Sequence, residues 1–379
     1  MHNQLSIVHY NRNVYTRLLT VSIMLLFLCT ALFAKGTTPG WTSVVLWDSG
    51  EKIQGVTLGD IDGERPGIEG IAVTMSGIVG IGGIGKSGVW SNVLYRHSAK
   101  LNTALVADLD PDLPGNELYV GGGGSSSPGE ILQIHRNGNR WDVKSVWEGD
   151  GFVHSLAVLP PRNSGSPSLV FVTYAGKIIE LTSKSTKGWK SQVLHTESLS
   201  ADSNRLLLKD IVAGRINGRD GRFVLACSKA GNGILVNADE PGSGKTIHSE
   251  EGGIARVNMD ADGRIFCACN HGNVLRLQYH DNHWTTDTLY RSLDELRGVG
   301  CGSFATPAGT APIAIYGYDA FVRMLFDNGT GWDTYTVWRD SDRAHSLSIG
   351  DVIPGNGSDE VLAGGYSGKL TLLYETSSQ

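Results

Sequence analysis

Three stretches of the chain carry acidic residues at alternate positions, a spacing that gathers oxygen ligands. The first holds Asp60, Asp62 and Glu64 followed by Glu69, the second holds Asp108, Asp110 and Asp112 followed by Glu117, and the third holds Asn258, Asp260 and Asp262. Carboxylates at positions one, three and five of a tight turn that contains glycine point inward together, and hard cations prefer such oxygen cages. The alternative is that these acids only cap tight turns.

A second set of residues has the chemistry to bind a negatively charged or sugar-like ligand. Some of these residues begin short apolar segments, and the others lie in the turn that follows the next apolar segment. The segment starts are Gln54, Asn102, His154, Lys209, Gly252, Arg297 and His345, and the turns add Tyr174, Lys229, His271, Tyr318 and Tyr366. Arg and Lys neutralise carboxylate or phosphate, and tyrosine rings stack against sugars. No carboxylate belongs to this set.

Four of these residues also suit proton abstraction. His154 or His345 has the chemistry of a general base, Tyr318 that of an acid, and Arg297 that of a cation which stabilises a developing oxyanion. Lyases, dehydratases and isomerases that act on sugars use such groups. The alternative is that each polar residue simply caps the strand that it begins.

A sevenfold repeat places these residues. The segments that begin at Gln54, Asn102, His154, Lys209, Gly252, Arg297 and His345 start 43 to 55 residues apart. In most of them apolar residues follow at alternate positions, as a half-buried strand requires, although Arg256 interrupts this alternation in the fifth copy. A second apolar strand and a third strand follow in each copy, and a fourth strand that usually opens with tryptophan follows in all copies but the last. Four strands per repeat of this length are typical of the blades of a β-propeller.

The two ends of the chain predict how the ring closes. After the third strand of the last copy, Lys369–Tyr374, too few residues remain for a fourth strand, whereas the segment Trp41–Trp47 is a fourth-type strand with no blade before it. Pairing these two segments would complete the last blade and cover an exposed sheet edge. We therefore expect an all-β, seven-bladed propeller of four-stranded antiparallel blades over residues 41–379. A two-sheet sandwich or several small domains would be the alternative.

The pattern of inner strand, Gly-Asp-x-Asp-Gly turn, apolar strand and Trp-opened outer strand resembles the FG-GAP/VCBS repeat family, the blade type of the integrin α-chain propeller. The resemblance covers residues 41–375 and implies that Ca²⁺ occupies some of the acidic turns in a structural role. Phe266 stands near the place of a fourth acid in the third acidic stretch. The family includes adhesion receptors, lectins and enzyme domains, so the resemblance does not select a function.

The N-terminus indicates export. Residues 1–17 carry Arg12 and Arg17 without an acid, and an uncharged run from Leu18 to Ala34 follows. This layout predicts a signal peptide over residues 1–34, or an uncleaved signal anchor, with a linker over 35–40. The propeller would then be secreted, or would stay attached to a membrane by this segment alone.

Composition restricts the partners. The net charge is −6 and no basic block is present, which argues against a nucleic acid partner. We expect a monomer that binds a carbohydrate or protein ligand on the face around the channel mouth. The competing hypotheses are a sugar lyase, dehydratase or isomerase at the same place, and a structural scaffold whose rim binds another protein.

Overall fold

A computed structural model describes residues 40–63, 67–124, 128–162, 165–185, 188–197, 207–304, 312–353 and 355–376. These residues form 28 strands arranged as seven four-stranded sheets. Neighbouring strands within each sheet are antiparallel, and each inner strand contacts the inner strands of the two adjacent sheets. The inner strands therefore form a closed ring around a central channel, and the predicted seven-bladed propeller is confirmed.

The strands follow the repeat from the inside of each blade to the outside. Blade one contains β2 (Ile53–Gly59), β3 (Glu69–Thr74), β4 (Ile78–Gly85) and β5 (Gly88–Arg96). Blade two contains β6 (Lys100–Ala107), β7 (Glu117–Gly123), β8 (Gly129–Asn137) and β9 (Arg140–Gly149). Blade three contains β10 (Val153–Leu159), β11 (Ser168–Thr173), β12 (Lys177–Lys184) and β13 (Gly188–Thr196). Blade four contains β14 (Leu208–Gly214), β15 (Phe223–Ser228), β16 (Asn232–Asn237) and β17 (Lys245–Ser249).

The remaining three blades follow the same order, except that the outermost strand of the last blade comes from the other end of the chain. Blade five contains β18 (Ile254–Met259), β19 (Ile265–Cys269), β20 (Asn273–His280) and β21 (His283–Arg291). Blade six contains β22 (Leu296–Cys301), β23 (Ile313–Gly317), β24 (Phe321–Asp327) and β25 (Trp332–Arg339). Blade seven contains β26 (Ala344–Gly350), β27 (Glu360–Gly365), β28 (Lys369–Glu375) and, outermost, β1 (Trp41–Asp48).

The second strand of every blade is buried at all of its residues. Both faces of this strand are covered by adjacent blades, so its centre is continuously apolar where a half-exposed strand would alternate, and polar residues stand at its ends. The described cysteines contribute to this packing as free thiols: Cys227, Cys267 and Cys269 are buried in second strands, and Cys301 is partly buried in β22. The core is thus a series of layers between blades.

The N-terminal strand closes the ring as predicted. β1 pairs antiparallel with β28, from Trp41 opposite Glu375 to Asp48 opposite Lys369. Leu46 and Trp47 of β1 are buried in the cluster that joins blade seven to blade one. The Trp47 ring lies where a Cβ atom at Gly80 would be, so this close contact requires glycine.

The predicted signal peptide or anchor lies outside the described residues, and so does Glu64 of the first acidic stretch. Within the described part of the chain, no helix is long and apolar enough to cross a membrane.

Candidate functional site

A β-bulge near the start of each inner strand determines which side chains reach the channel mouth. The register between first and second strand shifts by one residue in all seven blades. The residues at the shift are Gln54, Asn102, His154, Lys209, Ala255, Arg297 and His345. A bulge redirects a side chain and strengthens the local twist. Six of the seven segment starts predicted from the sequence are therefore bulged residues.

The observed strand register in blade five shows that the predicted alignment of the fifth repeat was wrong. The register shift lies between Ile254 and Arg256, so Ala255 holds the bulge position, whereas the sequence analysis had assigned Gly252 to it. Arg256 is consequently the first residue after the bulge, at the inner wall of the channel. The interruption that Arg256 makes in the apolar pattern thus marks a residue of the channel wall.

His154 and its neighbours form one half of the mouth. The imidazole of His154 stacks on the Tyr174 ring with centroids 5.0 Å apart and an angle of 24°. The ammonium of Lys209 donates to the Tyr174 hydroxyl over 2.8 Å and also lies over that ring. The Asn102 amide donates to the backbone oxygen of His154 over 2.6 Å. Residues of three adjacent blades thus hold His154 in place, Asn102 at its backbone and Tyr174 at its ring.

The charges of this half are set by burial and by crowding of cations. Burial, followed by the charges of Arg256 and Lys209, lowers the pKa of His154 well below its usual value, so the ring is neutral. Burial together with Arg256 and Arg297 lowers the pKa of Lys209 to about 8. Burial raises the pKa of Tyr174 to about 12. The site therefore contains a neutral histidine and a lysine that loses its proton easily.

Arg297 and the tyrosines form the other half of the mouth. The guanidinium of Arg297 lies 4.8 Å from the centroid of the Tyr318 ring and also pairs with Glu295. Tyr318 and Tyr366 meet edge to face with centroids 6.1 Å apart. Burial, together with a hydrogen bond to Tyr366, raises the pKa of Tyr318. The guanidinium of Arg343, which the sequence analysis did not include, lies over the Tyr366 ring at 4.5 Å.

Arg256 and His345 connect the two halves. Nδ1 of His345 donates to the backbone oxygen of Gln54 over 2.6 Å, which joins blade seven to blade one. The Arg256 guanidinium donates to the backbone oxygens of Ala255 and His345 over 2.8 and 3.3 Å. Burial and the nearby Arg256 lower the pKa of His345 to about 3, so this second imidazole is also neutral.

The two remaining predicted ligand-binding residues stand apart from this arrangement. Lys229 and His271 are both exposed at the rim. Lys229 still contributes positive charge near Lys209, and His271 packs against the backbone of Gly252. The residues that the structure gathers are named the mouth cluster: His154, Tyr174, Lys209, Arg256, Arg297, Tyr318, His345 and Tyr366.

One buried carboxylate lies among these cations, and the sequence analysis missed it. Asp210 follows the bulged Lys209, accepts a hydrogen bond from the Ser155 hydroxyl over 2.5 Å and accepts another from the backbone N–H of Val257 over 2.9 Å. Burial raises the pKa of Asp210, and the charge of Arg256 opposes that rise. Asp210 thus connects blades three, four and five below the mouth, and one anion faces several cations.

The opposite face carries the acidic turns, and blade one gathers its acids most closely. One ligand oxygen from each of Asp60, Asp62 and Glu69 lies within 4.8 Å of the others. Like charges at this spacing repel one another, and hard cations prefer carboxylate oxygens, so the three side chains fit Ca²⁺. The Glu69 carboxylate also accepts a hydrogen bond from the backbone N–H of Ile61 over 3.0 Å.

In blade two the acids are already engaged by protein groups. The Asp110 carboxylate accepts hydrogen bonds from the Gln133 amide over 3.0 Å and from the Ser183 hydroxyl over 3.2 Å. One oxygen of Glu117 accepts from the backbone N–H groups of Leu109 and Asp110, while the other is buried without a partner. Asp108 and Asp112 are exposed. Turn capping, the alternative interpretation, describes the two contacts of Glu117 but not those that Asp110 makes with Gln133 and Ser183.

Blade five replaces the expected fourth acid with an arginine. The register places Arg264 at the position that Glu69 has in blade one, while Phe266 pairs with Asn258 inside the blade. Arg264 forms ion pairs with Asp260 over 2.6 Å and with Asp262 over 3.0 Å. Asn258 lies in the inner strand and faces the channel, apart from these two acids.

Comparisons with known proteins support the fold but identify neither a family nor a function. No family model and no curated protein matches the sequence. Among solved structures, the WD40 β-propeller domain of Doa1 is similar with a TM-score of 0.61 and 13% identity, over 88% of this chain and 96% of that one. Sqt1 of Saccharomyces cerevisiae is similar with a TM-score of 0.60 and 11% identity, over 89% and 99%. At these identities the likeness establishes the seven-bladed propeller, and the resemblance to the FG-GAP/VCBS family stays a prediction.

Proposed function

We propose that this propeller is a recognition module that binds an anionic ligand, carried by a carbohydrate or by a protein partner, at the mouth of its channel. The observation that carries the proposal is the crowding of cations around Lys209. Arg256, Arg297 and Lys229 all lower the pKa of this partly buried lysine. Like charges held together in a partly dry site repel, and an anion bound there would relieve that repulsion.

The aromatic rings of the mouth cluster support the same function. Tyr174 lies under Lys209, and Tyr366 lies under both Lys52 and Arg343. A ring beneath a cation offers an apolar surface beside a charge, which suits a sugar ring or the side chain of a partner next to an acidic group. The structural similarity of this chain to WD40 propellers is consistent with a protein-interaction scaffold, although the fold alone does not select a partner.

Binding to polyanions tests this function. Polygalacturonate and poly-L-glutamate are compared with uncharged dextran as probes for the purified protein, by fluorescence anisotropy at two salt concentrations. We expect at least one polyanion to bind and dextran not to bind, with weaker binding at higher salt. Arg256→Gln should weaken the binding about tenfold because it removes a charged donor.

Arg140→Gln is the matched control, because Arg140 is exposed in the outer strand of blade two, away from the mouth cluster. We expect this variant to bind like the unmodified protein. Failure of both polyanions to bind, or equal loss of binding in the Arg140 and Arg256 variants, would refute the proposal.

The lyase hypothesis is retained as a second candidate because of the histidines. His154 is neutral, its Nδ1 atom is buried without a partner, and Arg297 contributes positive charge to the same mouth. A neutral imidazole with a free nitrogen can accept a proton from a bound substrate. Incubation with polygalacturonate and keto-sugars, followed by ultraviolet absorbance, tests this hypothesis, and absence of an absorbing product would leave the binding function alone.

Calcium at Asp60, Asp62 and Glu69 remains a proposed structural cofactor, on the evidence of the three converging carboxylates. The metal would stiffen the turn between β2 and β3.

We also propose an extracytoplasmic location on the basis of the N-terminal pattern alone; cell fractionation with protease protection would test it.

A further inference from the structure

A cavity of about 230 Å³ begins at the mouth cluster and continues along the inner strands. Its wall includes Gln54, Asn102, His154, Arg256, Arg297 and Ser346. This volume is smaller than the pockets of about 300–1,000 Å³ that hold drug-sized ligands. An occupant would therefore be a single small unit, such as one sugar ring.

His154, a residue of the cavity wall, has a hydrogen-bond acceptor that no described residue satisfies. His154 is 6% exposed, and its Nδ1 atom is buried without a partner. The ring makes its other hydrogen bond to the backbone of Lys209, which requires the proton to stay on Nε2 while the ring is neutral. Nδ1 therefore carries a lone pair, and an unpaired buried polar atom of this kind is costly.

The same cavity contains donors that need an acceptor. Nε of Arg297 is also buried without a partner, although another nitrogen of this guanidinium pairs with Glu295. Arg256 uses two of its nitrogens on backbone oxygens of Ala255 and His345. A guanidinium presents five N–H donors in a planar fork, so both arginines retain capacity for a carboxylate.

We propose that this cavity binds a small sugar acid, with its carboxylate against Arg256 and Arg297 and with one hydroxyl group donating to Nδ1 of His154. This inference rests on the proposed function and names its ligand class. A neutral sugar would satisfy His154 and leave the remaining N–H donors of the arginines without a carboxylate ligand, and a simple carboxylate would do the reverse. Only a molecule that has both groups satisfies both.

Calorimetry with three matched probes tests the inference on the purified protein. D-Glucuronate has the carboxylate and the hydroxyl groups, D-glucose lacks the carboxylate, and acetate lacks the hydroxyl groups. We expect D-glucuronate to bind about tenfold more tightly than either, since each missing group removes one hydrogen-bonding interaction. Equal affinity for D-glucuronate and acetate would overturn the role of His154.

Two variants separate the two contacts. His154→Phe keeps a ring to stack on Tyr174 and removes the acceptor, so we expect about a tenfold loss for D-glucuronate and no change for acetate. Arg256→Gln should weaken both anions, and Arg140→Gln neither. Arg256 is only partly buried, so its variant keeps the test decisive if His154→Phe does not fold, which thermal melting would reveal.

The outcomes distinguish this inference from the proposed function. Binding of polygalacturonate or poly-L-glutamate without binding of D-glucuronate would refute the sugar-acid inference and leave the proposed function intact. Absence of binding to every anionic probe would refute both.

Discussion

His345 should make the propeller lose stability in acid. Its imidazole is held neutral at the channel mouth, where Nδ1 donates to the backbone oxygen of Gln54 over 2.6 Å. Burial, Arg256, Arg297 and Lys209 lower the pKa of this ring to about 3, and His154 faces it as a second neutral imidazole. In the unfolded chain the ring titrates near pH 6.5. The unfolded state therefore binds a proton that the folded state excludes.

The sign and size of the effect follow from these two values. A lowered folded-state pKa gives stability that is complete above about pH 6.5 and is lost as the pH falls towards about 3. A pH of 5 lies about 1.5 units below the pKa of the unfolded-state imidazole. Protonation of the unfolded chain therefore lowers the free energy of unfolding by about 2 kcal/mol at pH 5 relative to pH 7.5. This figure hardly changes as long as the folded-state pKa stays below about 4, because the folded ring is then almost unprotonated at pH 5.

Urea denaturation followed by tryptophan fluorescence measures this loss. The comparison is between the unmodified protein and His345→Asn, whose amide nitrogen can replace Nδ1 as the donor to Gln54. Raised pKa values at Asp210, Glu117 and Glu360 act in the opposite direction but are common to both proteins. We expect the free energy of unfolding to fall about 2 kcal/mol less in the variant between pH 7.5 and 5. An identical fall in both proteins would refute the neutral state of the partly buried His345.

Other perturbations test the ring closure, a buried ion pair and the metal. Leu46→Ala should lower the free energy of unfolding by about 3 kcal/mol, because Leu46 is 1% exposed in the seam between blades seven and one, whereas Val45→Ala on the exposed side of β1 should change it little. Arg222→Met should cost about 3 kcal/mol in urea denaturation, because the buried Glu180 would lose the cation that lies 3.2 Å away. If calcium binds blade one, chelation should lower the melting temperature of the unmodified protein and should leave that of Asp62→Asn unchanged; the same shift in both would exclude this site.

Most of the fold could be predicted because each blade repeats its local signals. Polar segment starts and alternating apolar residues recur in most blades, six of the seven outer strands carry a tryptophan near their start, and the unmatched Trp41–Trp47 segment implied the closure with β28. Blade five was misaligned because Gly252 and Gly253 offer a turn like the other segment starts. Only the pairing of Ile254 with Cys269 fixes the bulge three residues later, and that pairing depends on contacts between strands.

The electrostatics of the mouth could not be predicted from the segment starts alone. Asp210 and Arg256 each follow a bulge position, where the repeat predicts an apolar or small residue. Their partners are distant in sequence: Ser155 is 55 residues from Asp210, and His345 is 89 residues from Arg256. The inner strands of different blades meet around the channel and bring these residues together, so the pairings become visible only when the blades are assembled.

The acidic turns show that the same need for a cation can be met in different ways. In blade five, Arg264 supplies the positive charge to Asp260 and Asp262 from within the chain. In blade two, amide and hydroxyl donors engage Asp110. Blade one gathers three carboxylate groups within 4.8 Å, and backbone N–H groups donate to Glu69 and Asp60. Repulsion among carboxylates is relieved by whichever cation or donor is nearest, so an internal arginine removes the demand for metal. A response of stability to calcium should therefore arise from blade one, and Arg264 should make blade five indifferent to it.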